Sequence, residues 1–203
     1  MTAPLFRGKR SLGLRLWHWA NAAVMLAIVA TVWLRDELVD VRGHAKLFVE
    51  RLGAQGVTVT PDQARDLALT YKDTLWDWHI DLGLTLLALL AARLVVEFMS
   101  ADKLCRKIKD ALAKGDKDSR MFAAVKLSHA LFYAGLAFAL ATGVVTAYGQ
   151  GWGVPDNVRH GIREVHEWMM YALLTFIAGH LIGVVRAEKT MDPGLVSDMI
   201  HGG

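Results

Sequence analysis

The stretch Glu164–Arg186, EVHEWMMYALLTFIAGHLIGVVR, decides the fold. Between Val165 and Val185 its only charged side chain is Glu167. A run of about 20 such residues is what a helix needs to cross the hydrocarbon of a bilayer. Two histidines stand in it, His166 and His180, 14 residues apart. At helical pitch that spacing is about 21 Å of height and returns to within about 40° of the same face. Ionisable groups are costly inside a membrane and face a bundle interior for a functional reason. One span therefore offers two imidazoles, at two depths, to one interior.

Three more apolar stretches lie upstream, near residues 16–34, 76–99 and 121–148, and the fourth span covers 165–186. The composition agrees, with 54% hydrophobic and 21% charged residues among 203. Such a chain is not disordered. A single cysteine, Cys105, excludes a disulfide scaffold and the C-x-x-C-H attachment of c-type haem. No nucleotide-binding glycine motif occurs, and no nucleic-acid partner is expected. In the bilayer every backbone polar group must be paired within the chain, so four spans imply an all-α four-helix bundle embedded in membrane lipid. Residues 1–203 read as a single membrane domain.

Charge orients the bundle. Arg7, Lys9, Arg10 and Arg15 precede the first span, and seven Lys or Arg residues lie between Ala101 and Arg120. Lys/Arg excess marks the cytoplasmic side, so both termini and the second connection are expected inside. Trp17, Trp19, Trp76, Trp78, Trp152 and Trp168 fall near span ends, as an interfacial aromatic belt would. The first outer connection, Arg35 to Thr74, carries helical periodicity over Ala45–Leu52 and Thr60–Lys72, with Thr60-Pro61 as a helix start. A small helical insert is expected there, and residues 149–164 form a short glycine-rich outer connection.

Eight histidines occur, five of them in or at the spans. Span direction sorts them by depth. His18, His129 and His180 belong to the inner half, and His79 and His166 to the outer half. His79 can meet His166, and His18 can meet His180. Neutral imidazole is a common axial ligand of haem iron. Two bis-histidine haem sites about 20 Å apart would form a ladder across the bilayer. Bis-imidazole iron has no open position, which favours electron transfer over oxygen binding. His129 is the alternative at the inner level: it can replace a ligand, bond a propionate, line a quinone pocket or simply pack. Gly83, Ala22 and Gly183 share the ligands' helix faces and leave room for a macrocycle, as they would for ordinary close packing. Arg15 inside and Arg163 outside are candidates to neutralise haem propionates; Arg159 is a second outer candidate. Arg93 and Glu97 read as a structural i,i+4 pair. His44, His160 and His201 read as solvated loop or tail residues.

The stretches Arg15-Leu16-Trp17-His18-Trp19-Ala20-Asn21-Ala22, Trp78-His79-Ile80-Asp81-Leu82-Gly83, Glu164-Val165-His166-Glu167-Trp168, Gly179-His180-Leu181-Ile182-Gly183 and Gly194-Leu195-Val196-Ser197-Asp198-Met199-Ile200 carry a resemblance. In order and spacing they resemble the prokaryotic cytochrome b561 and nickel–iron hydrogenase b-type cytochrome family. The resemblance covers nearly the whole chain except the outer insert. It implies a multi-pass protein of the bacterial inner membrane with two non-covalent b haems. It implies His18, His79, His166 and His180 as ligands, and electron transfer between a quinone pool and a periplasmic or membrane-bound redox protein or complex subunit. The competing expectation is a stand-alone membrane oxidoreductase acting on superoxide or another small acceptor at the outer haem. A non-redox transporter or structural subunit, with histidines relaying protons, is the third.

Overall fold

A computed structural model describes residues 9–38, 40–99 and 101–202, with the side chains of 37, 38, 101–105 and 107 outside the description. Arg7 and the Cys105 side chain fall outside it. The described residues are helical, with no strand among them. In chain order they form α1 (Leu12–Trp33), a π-helical turn (Leu34–Leu38), α2 (Val41–Gly53) and α3 (Pro61–Phe98). Then come α4 (Ala101–Lys114), α5 (Lys117–Tyr148), α6 (Asp156–Thr190) and α7 (Leu195–His201). Four of these, α1, α3, α5 and α6, are long and apolar enough to cross a membrane. The molecule is an all-α, multi-pass membrane protein.

The four apolar stretches all lie in these helices, but the helices outrun them. The second span was expected from residue 76; α3 begins at Pro61 and runs 38 residues without a break. Its start is a reciprocal capping box. Gln63 N–H donates to Thr60 Oγ1 at 3.2 Å, and Thr60 N–H donates to Gln63 Oε1 at 3.0 Å. No glycine or proline follows until Gly83, so nothing stops the helix between the insert and the span. At 1.5 Å per residue α3 is about 57 Å long, well beyond about 30 Å of hydrocarbon. The insert's second helix and the second span are therefore one rod. In the same way α6 starts at Asp156, not near 165, and the third connection shrinks to the turn at residues 149–155. The basic second connection folds into α4. His44, His160 and His201 lie within helices α2, α6 and α7, not in loops.

The chain forms two compact units, Met1–Ala20 with Leu87–Gly203, and Asn21–Leu86. In the first, α5 and α6 are antiparallel neighbours along a regular seam. Gly143 and Ala139 face His166, Gly135 faces Met169 and Leu173, Phe132 stacks on Phe176 at 4.7 Å, and His129 faces His180. Each step of three or four residues back along α5 meets a like step forward along α6, which is the geometry of facing helical rows. Small residues at 135, 139 and 143 permit the approach, as in small-xxx-small membrane packing. Outward side chains are apolar and open: Leu127 is 67% exposed, Leu131 70% and Ile182 69%. Patches of this size face lipid.

α7 returns to the start of α1. Glu188 accepts from Gly194 N–H at 2.8 Å and Val196 N–H at 2.9 Å, anchoring the turn between α6 and α7. Gly194 has φ +97°, a left-handed conformation that favours glycine. Trp19 Nε1–H donates to Met199 O at 3.2 Å, and Arg10 N–H to Gly202 O at 3.1 Å. Asp116 caps α5 through Ser119 N–H at 2.9 Å, and these bonds hold its carboxyl below the usual range. In the second unit, Phe48 of α2 stacks on Tyr71 of α3 at 6.1 Å.

Glu188→Ala should remove both backbone acceptors and loosen α7 by about 1 kcal/mol, the scale of a lost helix cap. Amide hydrogen exchange over residues 194–202 should quicken several-fold, and Glu188→Gln should keep part of the protection.

Candidate haem site

His18 stands on α1 and His180 on α6, with ring centroids 6.4 Å apart and planes inclined by 56°. Among the described residues neither imidazole makes a hydrogen bond. Two half-buried rings whose nitrogens lack partners are costly inside an apolar segment unless something else engages them. Trp19 packs edge-on against His18 at 5.4 Å. His129 of α5 faces His180 from another side at 5.9 Å and 74°. The structure thus gathers His18, His129 and His180 together in one unit, which also holds His166. No set of three or more His, Cys, Asp or Glu among the described residues is arranged to hold a bare metal ion.

The spacing does fit a metal carried in a flat macrocycle. A metal–imidazole bond of about 2 Å, plus roughly 1.1 Å from nitrogen to ring centre, separates two axial imidazoles by about 6 Å. His18 and His180 stand at that separation. Beside His180, Gly179 and Gly183 have nothing within 4 Å of where a Cβ would be, so the helix face flanking the imidazole is clear.

His166 is held differently. Its Nδ1 is 2.8 Å from Ala139 O and 3.2 Å from Thr142 Oγ1. Thr142 Oγ1 itself donates to backbone carbonyls of its own helix, at 2.8 Å to Ala139 O and 3.0 Å to Phe138 O. Both partners of His166 are therefore acceptors, the proton sits on Nδ1, and the lone pair sits on Nε2. Gly143 closes the wall: a Cβ there would lie 2.9 Å from His166 Cε1. In the other unit His79 shows the same chemistry. Thr31 Oγ1 donates to Ile28 O at 2.6 Å, so His79 Nδ1–H donates to Thr31 Oγ1 at 3.1 Å. Trp76 stacks on His79 at 5.0 Å with planes 3° apart, and Arg35 lies over Trp76 at 5.0 Å. In both rings the Nδ1–H is tied to an acceptor, the support that metal-binding histidines usually have.

Over residues 9–202 the chain matches the prokaryotic cytochrome b561 family. It belongs to that family. No curated protein and no solved structure matches it. A family member of this architecture is a b-type haem protein of the membrane that transfers electrons. Its expected resemblance, drawn from the histidine-bearing stretches, is thereby established.

The remaining predicted site residues fall as follows. Gly83 is open on its helix face, with nothing within 4 Å of a Cβ. Arg15 lies one turn before His18, partly buried, with its guanidinium against Gly202 and no partner for Nε. Arg163 lies one turn before His166 and is exposed. Arg159 is committed to Asp156 at 2.6 Å and Gln150 at 3.4 Å. Arg93 pairs with Glu97 at 2.6 Å, as expected, and covers the Trp17 ring at 5.5 Å. Sequence reasoning missed Thr31, Thr142, Ala139 and Gly143. The Gly135-xxx-Ala139-xxx-Gly143 spacing was the signal for the last two.

Gly143→Ala should push the His166 ring out of place, because the new methyl lands within van der Waals contact of Cε1. Purified protein should then carry less haem b per chain than the unsubstituted protein. Gly135→Ala, whose Cβ would meet Met169 Cε at 3.4 Å and Leu173 Cδ2 at 3.8 Å, both ends of flexible side chains, should leave haem content within error.

Proposed function

We propose that the chain is one membrane cytochrome domain that binds two b haems and carries electrons across the bacterial inner membrane, between a quinone pool and a redox partner protein. His18 and His180 are the axial ligands at the inner level, and His79 and His166 those at the outer level. The observation that carries this reading is the pairing of His18 and His180 at 6.4 Å without hydrogen bonds of their own. The position of His166 supports it: α6 turns both of its histidines to the α5 side, about 21 Å apart in height. Positive-inside charge places both termini in the cytoplasm.

The haem supplies one-electron chemistry when bound. The protein does the rest. Ala139 and Thr142 hold the proton of His166 on Nδ1, and Thr31 holds that of His79 on Nδ1, so neither ring would need to reorient to offer Nε2 to a metal. With two histidines holding each haem, the iron would have no position left for a small molecule. The apolar spans exclude water and lower the local dielectric, which sets the potentials. Arg15 and Arg163, each one turn before a ligand, are placed to balance propionate charge. The insert formed by α2 and the first turns of α3 is the docking surface for the partner.

A self-contained enzyme acting on superoxide needs a basic funnel to steer an anion. Arg159, one of the two arginines in residues 149–164, is already paired with Asp156, which favours the conduit.

A pyridine haemochrome assay should return two haem b per chain, and dithionite should produce a reduced-minus-oxidised spectrum of six-coordinate b haem. His166→Ala should leave one haem, low-spin. A chain free of haem, or a spectrum without a redox change, would support a proton relay or structural subunit in place of this reading.

A further inference from the structure

The α5–α6 seam repeats itself once. Gly143 stands against His166, where a Cβ would lie 2.9 Å from the ring. Fourteen residues back on α5 and fourteen forward on α6, His129 stands against His180 at 5.9 Å. Equal steps along antiparallel helices preserve register, so these are equivalent rungs about four turns apart. At one rung α5 has no side chain. At the other it has an imidazole. His180 thus has two imidazole neighbours on different helices, His18 of α1 at 6.4 Å and His129 of α5 at 5.9 Å. Both separations are close to the roughly 6 Å of a trans axial pair built on metal–nitrogen bonds of about 2 Å.

His129 is also in ligating form. Its Nδ1 is 2.8 Å from the Val125 carbonyl oxygen, which can only accept. The proton is therefore on Nδ1 and the lone pair on Nε2. An N–H held by a backbone carbonyl is the usual support of a metal-binding histidine. The bond runs within one turn of α5, so it does not tie two helices together, which is the ordinary structural use of a polar side chain in a membrane.

We propose that His129 is a standby axial ligand of the haem at the His180 level, taking the position opposite His180 whenever His18 does not hold it. The proposal rests on the haem reading above. In the exchange one bond would break, from a His18 ring nitrogen to iron, and one would form, from His129 Nε2. Both imidazoles ligate in the neutral form, so no proton or electron moves. The axial planes differ, inclined to His180 by 56° for His18 and 74° for His129. That angle governs the g-anisotropy of low-spin ferric haem, so the two ligation states are spectroscopically distinct.

The test uses the full-length haem-loaded protein with His18→Ala, His129→Ala, the double variant and His180→Ala, read by haem count, visible spectrum and low-temperature EPR. His18→Ala should keep two six-coordinate low-spin haems with one EPR signal shifted. The double variant should lose that haem or turn it high-spin. Loss or high-spin conversion in His18→Ala alone would overturn the proposal. Fewer than two haems in the unsubstituted protein, or two intact haems in His180→Ala, would instead overturn the parent haem reading. Should His18→Ala fail to accumulate, carbon monoxide binding to the ferrous protein decides. His129→Gln should capture it several-fold faster than the unsubstituted protein, because one competitor for the sixth position is gone. Equal rates would overturn the proposal.

Discussion

A polar ring inside hydrocarbon must have its nitrogens engaged, because water is not there to engage them. This constraint organises the molecule. His166 meets it with a backbone carbonyl and a threonine hydroxyl of α5, and His79 with Thr31. His129 meets it at one nitrogen with a carbonyl of its own helix. His18 and His180 meet it with neither among the described residues, and they face one another at 6.4 Å. The two rings with the least protein support are the pair spaced for a shared metal. That contrast separates histidines fixed by protein acceptors from histidines that have none among the described residues.

The α5–α6 seam makes the contrast possible. Its small residues let the helices approach until the α5 backbone itself becomes the wall of the His166 site. The Ala139 carbonyl can reach the imidazole only because Gly143 carries no Cβ. One turn of sequence thus serves packing and tautomer selection together. Further along the same seam Phe132 and Phe176 stack at 4.7 Å, a contact worth about 1 kcal/mol beyond its buried area. Below it the register delivers His129 to His180. A small residue or an imidazole at equivalent rungs decides whether a site has two candidate ligands or three.

Apolar content alone would not confine the helices to the membrane. α3 continues through polar residues for several turns before its apolar run, since capping at Thr60 and Gln63 starts it early and no breaker stops it. The insert's second helix and the segment that bears His79 are thus one continuous helix. The insert is for that reason continuous with a span, and not a loosely tethered cap. At the other end, α7 folds back to Trp19, the neighbour of His18.

The sequence by itself determined the four spans and the family. These follow from hydropathy runs and helical pitch, which are properties of single segments. It also determined the helix start at Thr60-Pro61 and the Arg93–Glu97 pair, both local along the chain. Helix ends were less legible, since polar residues with good helical propensity continue a helix as well as end it, as at Lys72-Asp73-Thr74. Only tertiary structure decided that Thr142, Ala139 and Gly143 surround His166, that Thr31 holds His79, and that His129 and His18 both reach His180. Those contacts depend on how two helices rotate and slide against each other. That rotation is set by the sum of many small side-chain fits, and no single residue announces it.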